Sequence, residues 1–263
     1  MGAFVMSLAG LLVRVEPLHA RVGAMCAPYR VEGSADEPDL AVRVTPDMLA
    51  RERMMGDPGD WSDDYLETLA VFRAIGERLP LLDRAILHGA CVELDGRAYL
   101  FTAPSGTGKS THIRLWRRCF GQRVRVVNGD KPIVHVACDA GRPRPVVHAT
   151  PWAGKEGWQT PLASAPLAGV CVVSRGTDNT CRRLEAAEAL PVLLAQSYMP
   201  SDPVQAAAWL ALADRLLAAV PFHLLSCDIS VDAVRASFTA MTGLPWDGAS
   251  PASDGGRSRM GAR

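Results

Sequence analysis

The stretch APSGTGKSTH, Ala103–His112, decides how this sequence is interpreted. It has the ending of a phosphate-binding loop, but Ala103 stands where the usual pattern G-x-x-x-x-G-K-S/T has its first glycine. The apolar run YLFT precedes the stretch and HIRLW follows it. The sequence therefore predicts a strand, a glycine-rich turn and an amphipathic helix, in that order.

A phosphate cradle needs backbone N–H groups that point inward, little side-chain bulk, and a helix whose positive N-terminal end faces the anion. In this pattern Lys109 contacts the β- and γ-phosphates, Ser110 offers its hydroxyl to Mg²⁺, and Thr111 is secondary. The predicted nucleotide-binding residues are Ser105, Gly106, Thr107, Gly108, Lys109, Ser110 and Thr111.

Alanine at position 103 is compatible with this loop. The first glycine is needed only where the backbone has positive φ or makes a very close approach, and alanine has the smallest side chain otherwise. Pro104 fixes its own φ and favours an extended Ala103. The alternative is a glycine-rich turn that binds no ligand.

Two further residues lie where a phosphoryl-transfer site is expected. Asp130 ends the apolar strand VRVVNGD, about 20 residues after Lys109, where a carboxylate can reach Mg²⁺ or an attacking hydroxyl. His88 lies in the apolar strand ILHGACVEL before the loop, within reach of phosphate or of Asp130 if the two strands pair. A turn aspartate and a core histidine are the plainer alternatives.

The composition excludes several classes of function. Lysine plus arginine equals aspartate plus glutamate, 28 against 28, so there is no overall positive field to hold nucleic acid or an acidic membrane. The N-terminal apolar run is too short to span a bilayer and has no basic residues before it. The seven cysteines are scattered without a C-x-x-C pair, which favours a reduced, cytoplasmic protein without a zinc site. The sequence leaves the oligomeric state open, with a homo-oligomer as one alternative.

The chain divides by pattern into three parts. Residues 1–83 hold the strand-like pieces PYRVEG and LAVRVT and a helix over 64–77, and predict a small β-rich lead-in module. Residues 84–246 predict a P-loop catalytic domain that begins with a hairpin of ILHGACVEL and RAYLFTA around Asp95-Gly96. Residues 247–263 are rich in Gly, Ser, Pro and Arg and predict a disordered tail.

Beyond the loop, the sequence predicts alternating helices and strands. The helix KSTHIRLWRRCF is ended by Gly121. Strands are predicted at VRVVNGD, PIVHVAC, PVVHAT, LAGVCVVSR and FHLLSCD. Further helices are predicted over Leu184–Ser197, where Pro191 must kink or split the helix, over Val204–Ala219, and over SVDAVRASFTAMTG.

Together, HGACVEL, APSGTGKST and VVNGDKPIV resemble the catalytic core of HPr kinase/phosphorylase and its relatives, which include serine kinases found beside peptide-modifying enzymes. That group shares its core with the ATP-dependent phosphoenolpyruvate carboxykinases. The similarity covers residues 85–136, extends loosely to residue 243, and does not reach residues 1–80. It implies an α/β (α+β) fold with a mixed β-sheet P-loop core, ATP and Mg²⁺ as cofactors, and phosphorylation of serine in a peptide or protein.

The resemblance also implies roles for individual residues. Lys109 and Ser110 take the phosphate and Mg²⁺ roles, His88 is the histidine before the loop, and Asp130 is the catalytic aspartate that accepts the hydroxyl proton. Members of the group usually carry two successive acids at the end of this strand, and here the second position is Lys131.

That departure leaves the metal site open. Either Glu156, in the strand-end loop PWAGKEG, supplies the missing contact, or Mg²⁺ is held by Ser110, phosphate and water. The predicted metal ligands are therefore Ser110, Asp130 and Glu156. Lys131 could instead stabilise charge on the transferring phosphoryl group.

Several functions stay open on the sequence. The leading interpretation is an ATP- and Mg²⁺-dependent kinase of a peptide or protein serine. A nucleotide-binding regulatory protein without transfer activity, in which Lys131 marks a degenerate site, predicts ATP affinity without acceptor-dependent ADP release. A kinase of a small metabolite such as free serine differs only in its acceptor. An NTPase that couples hydrolysis to motion is the weakest candidate, because no arginine finger or switch-like segment stands out.

Overall fold

The fold comes from a computed structural model, which describes residues 2–33, 36–56 and 58–248. Of the predicted tail, residues 247 and 248 are described, without regular structure, and residues 249–263 lie outside the described part of the chain. None of the helices in the described ranges is long and apolar enough to cross a membrane.

The described residues before position 84 form a small sheet with three α-helices beside it. Its strands are β1 (Phe4–Leu8), β2 (Leu11–Glu16) and β3 (Leu40–Arg43). β1 and β2 are antiparallel, and β3 lies parallel to β2. The helices are α1 (Ala20–Met25), α2 (Pro46–Met55) and α3 (Asp63–Gly76).

The sequence predictions for this part are only partly correct. The strand in LAVRVT and the helix over 64–77 are confirmed as β3 and α3. The prediction of a strand in PYRVEG is wrong, because Ala27–Tyr29 forms a short 3₁₀ helix with Pro28 in its first turn. Proline has no backbone N–H to donate to a neighbouring strand, which explains the error. Helices α1 and α2 are absent from the prediction.

From residue 84 to residue 248, the described chain is built on a mixed sheet of nine strands. They are β4 (Arg84–Ile86), β5 (Ala90–Leu94), β6 (Arg97–Thr102), β7 (Val124–Asn128), β8 (Ile133–Asp139), β9 (Arg142–His148), β10 (Ser164–Arg175), β11 (Thr180–Leu184) and β12 (Phe222–Cys227). The order is β4-β8-β9-β10-β6-β5-β7, with β12 paired to β10 and β11 paired to β12. The expected antiparallel hairpin of β5 and β6 is confirmed. Strand β11 is absent from the prediction.

The long strand β10 connects the antiparallel and parallel parts of this sheet. Its first residues pair antiparallel with β9, and its later residues pair parallel with β6 and with β12. The carboxyl ends of β6, β10 and β12 therefore lie at one edge of the sheet. That edge is where open sheets with parallel strands usually bind ligands.

Four helices complete this part: α4 (Lys109–Phe120), α5 (Ala186–Ala195), α6 (Pro203–Ala219) and α7 (Val231–Thr242). Helix α4 agrees with the prediction, and Gly121 ends it with φ of +57°. Helix α5 is shorter than predicted, and Pro191 lies within it without splitting it. The structure is thus a mixed α/β arrangement of helices on a mixed sheet, as expected for the fold class.

The apolar side chains form two clusters. One lies between the sheet and the pair α4 and α7, and contains Phe101, Trp116 and Phe238. The other contains side chains from the N-terminal part, such as Val71, together with side chains from the nine-stranded sheet, such as Val134. The N-terminal part and the large sheet therefore share one apolar core.

Candidate functional site

The glycine-rich loop, residues 103–108, connects β6 to the N-terminus of α4. Gly106 and Gly108 have φ of +77° and +124°, and no atom lies within 4 Å of a Cβ placed on either. Glycine is therefore required there by backbone conformation, and the space beside it is open. Ala103 is fully buried and has no positive φ, so alanine causes no strain at this position.

The side chain of Lys109 folds back over this loop. Its Nζ donates to the carbonyl oxygen of Ala103 at 2.7 Å. Burial lowers the pKa of Lys109, with a smaller lowering from Lys131 and an opposing effect from the carboxylate of Asp130. The negative charge of Asp130 therefore acts on the ammonium group of Lys109. Ser110 and Thr111 lie in the first turn of α4, and Ser105 is exposed in the loop.

Asp130 and His88 meet, but neither lies in a strand as predicted. Strand β7 ends at Asn128, so Asp130 belongs to the turn that follows. His88 lies in the turn between β4 and β5, because the predicted strand ILHGACVEL is interrupted at Gly89. A Cβ on Gly89 would lie 2.8 Å from the carbonyl oxygen of Phe101, so only glycine allows this close approach. The two turns are joined by the N–H of Gly89, which donates to the carbonyl oxygen of Asp130 at 2.8 Å.

The side chains of His88 and Lys131 lie beside the carboxylate of Asp130. The Nε2 atom of His88 is 3.3 Å from Oδ1, and Nζ of Lys131 is 3.5 Å from both carboxylate oxygens. Burial alone would raise the pKa of Asp130, but the hydrogen bond from His88 and the charge of Lys131 outweigh it and hold the pKa below its ordinary value. The carboxylate is therefore ionised at neutral pH.

The turn itself is built by Asn128, which the sequence reasoning missed. Its Oδ1 accepts from the backbone N–H groups of Asp130 and Lys131, at 2.9 and 2.8 Å. Its Nδ2 donates to the carbonyl oxygen of Thr150 at 3.0 Å, and the side chain is fully buried. Asparagine often bonds the backbone two residues on, so the signal was present in Asn-Gly-Asp. Because Asn128 holds the turn, the side chain of Asp130 is left to face His88.

Glu156 is not brought to Asp130 by any contact. Its Oε1 is 3.3 Å from Nη2 of Arg114 on α4. The neighbouring Gly154 is the part of this loop that packs on Asp130, because a Cβ there would lie 2.9 Å from the Cβ of Asp130. Within the described ranges, no group of three His, Cys, Asp or Glu residues could hold a metal ion alone. The hydroxyl of Ser110 and the carboxylate of Asp130 are hard oxygen donors of the kind that suits Mg²⁺ when phosphate and water complete the shell.

A cavity of about 550 Å³ lies beside the loop. It is lined by residues 106–108 after β6, 173–176 at the end of β10, 227–229 after β12, and Thr111, His112 and Leu115 of α4. It therefore occupies the edge where the parallel strands end. Its size is within the usual range for small-molecule sites.

Arg175 connects this cavity to the loop and was also missed. Its Nη2 donates to the carbonyl oxygen of Gly106 at 2.7 Å, and its Nε to that of Thr107 at 3.3 Å. The guanidinium thereby binds the outer side of the glycine-rich loop. No sequence pattern marks this residue, because its position depends on the register of β10 against β6.

Comparison with known proteins adds little to this geometry. No family model matches the chain, and no curated protein sequence matches it. Among solved structures, the chain is similar to the Hpr(Ser) kinase/phosphatase from Coxiella burnetii, with 12% sequence identity and a TM-score of 0.32. The match covers 60% of this chain and 99% of that one.

Proposed function

We propose that this protein is an ATP- and Mg²⁺-dependent kinase that phosphorylates a serine hydroxyl of a peptide or protein. The observation that carries the proposal is the ionised carboxylate of Asp130, held by His88 in a turn close to Lys109. A proton acceptor beside a glycine-rich loop at a helix N-terminus is the minimum that phosphoryl transfer to a hydroxyl requires.

The nucleotide would lie along the glycine-rich loop. Two glycines with positive φ leave space beside the backbone, and the N-terminus of α4 favours an anion. Lys109 would exchange its hydrogen bond to the carbonyl oxygen of Ala103 for an ion pair with phosphate. That ion pair would offset the cost of burying its ammonium group. The residues fit ATP, with the base and ribose in the cavity at the end of β10 and β12.

Bound Mg-ATP would supply the transferable phosphoryl group and neutralise part of its charge. The acceptor oxygen forms a bond to the γ-phosphorus, the bond to the β–γ bridging oxygen breaks, and its electron pair leaves with ADP. Asp130 takes the proton of the acceptor hydroxyl, and His88 keeps the carboxylate oriented. Lys109 and Lys131 stabilise the negative charge on the transferring group. Ser110 and Asp130 would hold the metal, and Glu156 would reach it only after leaving Arg114.

One observation favours a second function, nucleotide binding without transfer. Nζ of Lys131 lies 3.5 Å from both oxygens of Asp130 and so competes with a hydroxyl proton or a metal for them. Under this alternative the protein binds ATP and releases no ADP when an acceptor is added.

The experiment that separates these functions measures ATP binding and ADP release together. Wild type, Lys109→Ala and Asp130→Asn are compared, with serine-containing peptides and free serine as acceptors. The kinase predicts acceptor-stimulated ADP release and a phosphoserine mass shift in wild type, loss of ATP binding in Lys109→Ala, and binding without transfer in Asp130→Asn. Arg182→Ala, which removes an exposed ion pair with Glu188, is the matched control.

Three other outcomes have distinct meanings. ATP binding without turnover under every acceptor favours the second function. Turnover with free serine alone makes the protein a metabolite kinase. Failure of wild type to bind ATP overturns both proposals.

A further inference from the structure

The segment that follows α5 pairs with the turn that carries His88. The backbone N–H of His88 donates to the carbonyl oxygen of Gln196 at 2.7 Å, and that of Tyr198 donates to the carbonyl oxygen of Ile86 at 3.2 Å. Residues 196–198 therefore form a short antiparallel bridge beside residues 86–88. The backbone on both sides of His88 is fixed by this contact.

The side chain of Gln196 also fixes the imidazole ring. Its Oε1 lies 3.0 Å from Nδ1 of His88, while Nε2 of the same ring lies 3.3 Å from Asp130. With a partner on each nitrogen, the ring plane is determined, and so is the nitrogen that faces the carboxylate. Gln196 therefore orients the imidazole of His88, and His88 in turn orients the carboxylate of Asp130.

Tyr198 connects this segment to the N-terminal helix α3. The hydroxyl of Tyr198 accepts from Nη1 of Arg73 at 3.0 Å, and its ring meets the ring of Phe72 edge-on at 6.0 Å. Gly76, the last residue of α3, lies so close that an added Cβ would be 3.0 Å from the tyrosine ring. The tyrosine is therefore seated against one face of the helix.

The same helix supports the opposite side of the site. The indole Nε1 of Trp152 donates to the carbonyl oxygen of Thr68 at 3.0 Å, and its ring lies 5.2 Å from that of Phe72. Two residues earlier, the hydroxyl of Thr150 donates to the carbonyl oxygen of Lys131 at 2.7 Å. Phe72 thus contacts one aromatic residue beside the turn of His88, Tyr198, and one beside the turn of Asp130, Trp152.

We propose that α3 positions the His88–Asp130 pair, with Phe72 as its central support and Gln196 as the residue that orients the imidazole. Both residues act through others and touch no substrate, so they are positioning residues. The consequence for turnover rests on the proposed kinase function, but the positioning itself does not.

The N-terminal part thereby has a role beyond covering the sheet. The turns of His88 and Asp130 belong to different strand ends, and the energy that keeps them together comes partly from a helix earlier in the chain.

The test reads the geometry of the pair directly. The distance between Nε2 of His88 and Oδ1 of Asp130, 3.3 Å in wild type, is measured in crystal structures of ligand-free wild type, Gln196→Ala and Phe72→Leu. Each substitution removes a contact that holds the turn of His88 or of Asp130, so both are expected to lengthen this distance beyond hydrogen-bond range. Arg182→Ala serves as the control for changes near α5.

Activity supplies the second readout. If the protein is a kinase, kcat falls about tenfold or more in Gln196→Ala and Phe72→Leu while the affinity for ATP stays within about twofold, because the glycine-rich loop is untouched. An unchanged distance between Nε2 of His88 and Oδ1 of Asp130 in both folded variants would overturn the positioning role. If wild type shows no kinase activity, the crystal structures still decide the inference, so the two failures are distinguishable.

Discussion

The Nε2 atom of His88 lies 3.3 Å from Oδ1 of Asp130, although α4 separates the two residues in the chain. The contact arises from strand pairing. β5 follows His88, β7 precedes Asp130, and the two strands are antiparallel with Cys91 opposite Asn128. The start of one strand therefore meets the end of the other, and the two turns face each other.

The cavity beside the glycine-rich loop can be tested by filling it. Leu115 lines the cavity from α4. We expect Leu115→Trp to weaken ATP binding about tenfold, because the indole occupies the space for the base, and to leave binding of inorganic tripolyphosphate unchanged. Isothermal titration calorimetry with both ligands measures the difference. Leu244→Trp, at an exposed position after α7, is the control, and equal weakening for both ligands would place the base elsewhere.

Arg175 is expected to hold the glycine-rich loop in shape for phosphate. Arg175→Ala removes two hydrogen bonds to loop carbonyls and should lower the affinity for ATP three- to tenfold, roughly the effect of one modest hydrogen bond. Arg175→Lys should recover little, because one ammonium does not reproduce the fork of the guanidinium. Arg183→Ala on β11 is the matched control. Full ATP affinity in Arg175→Ala would contradict this role.

The packing of α4 on α7 depends on a buried polar contact. The indole Nε1 of Trp116 donates to the hydroxyl of Ser237 and to Nε2 of His112, both at 3.1 Å. Ser237→Ala should lower the free energy of unfolding by about 1–3 kcal/mol, because it leaves buried polar atoms with fewer partners. Urea denaturation measures the change, with the exposed Ser164→Ala as control. A loss equal to that of the control would show that the contact adds nothing to stability.

Stability should fall as the solution becomes mildly acidic. Burial, followed by the charges of His135 and Arg84, lowers the pKa of His148 from 6.5 to about 4. As pH falls below 6.5, the unfolded chain binds a proton that the folded protein does not. The contribution of a neutral His148 is therefore complete above pH 6.5 and is lost as pH falls toward 4, at about 1.4 kcal/mol for each unit of pKa difference.

The variant His148→Leu isolates this effect. It removes a buried nitrogen, Nε2, that has no hydrogen-bond partner among the described residues. We expect the free energy of unfolding to change less between pH 7.5 and pH 5 in the variant than in wild type. The same pH slope in both proteins would assign the acid sensitivity to other groups.

Local sequence patterns predicted the parts of the site that depend on local structure. The Asp95-Gly96 turn gave the hairpin, and the spacing of Ile113, Trp116 and Phe120 gave α4. The glycine pattern predicted the loop because the positive φ of Gly106 and Gly108 disfavours other residues there.

The residues that the sequence did not reveal depend on contacts between distant segments. Gln196 and Tyr198 join the site only because their segment pairs beside His88, and nothing in their own neighbourhood marks them. The interruption at Gly89 comes from the carbonyl oxygen of Phe101 on the next strand. Arg175 reaches the loop through strand register, which side-chain alternation does not determine for a buried parallel strand.

The apolar core shared by the N-terminal part and the large sheet has a consequence for how such a protein can change over generations. Val71 of α3 and Val134 of β8 belong to one packed cluster, so a substitution in either part alters the shape that the other must fit. Exchange of the first 83 residues for an unrelated segment by gene recombination would leave that surface uncovered. The two parts are therefore expected to be inherited together and to accumulate compensating substitutions.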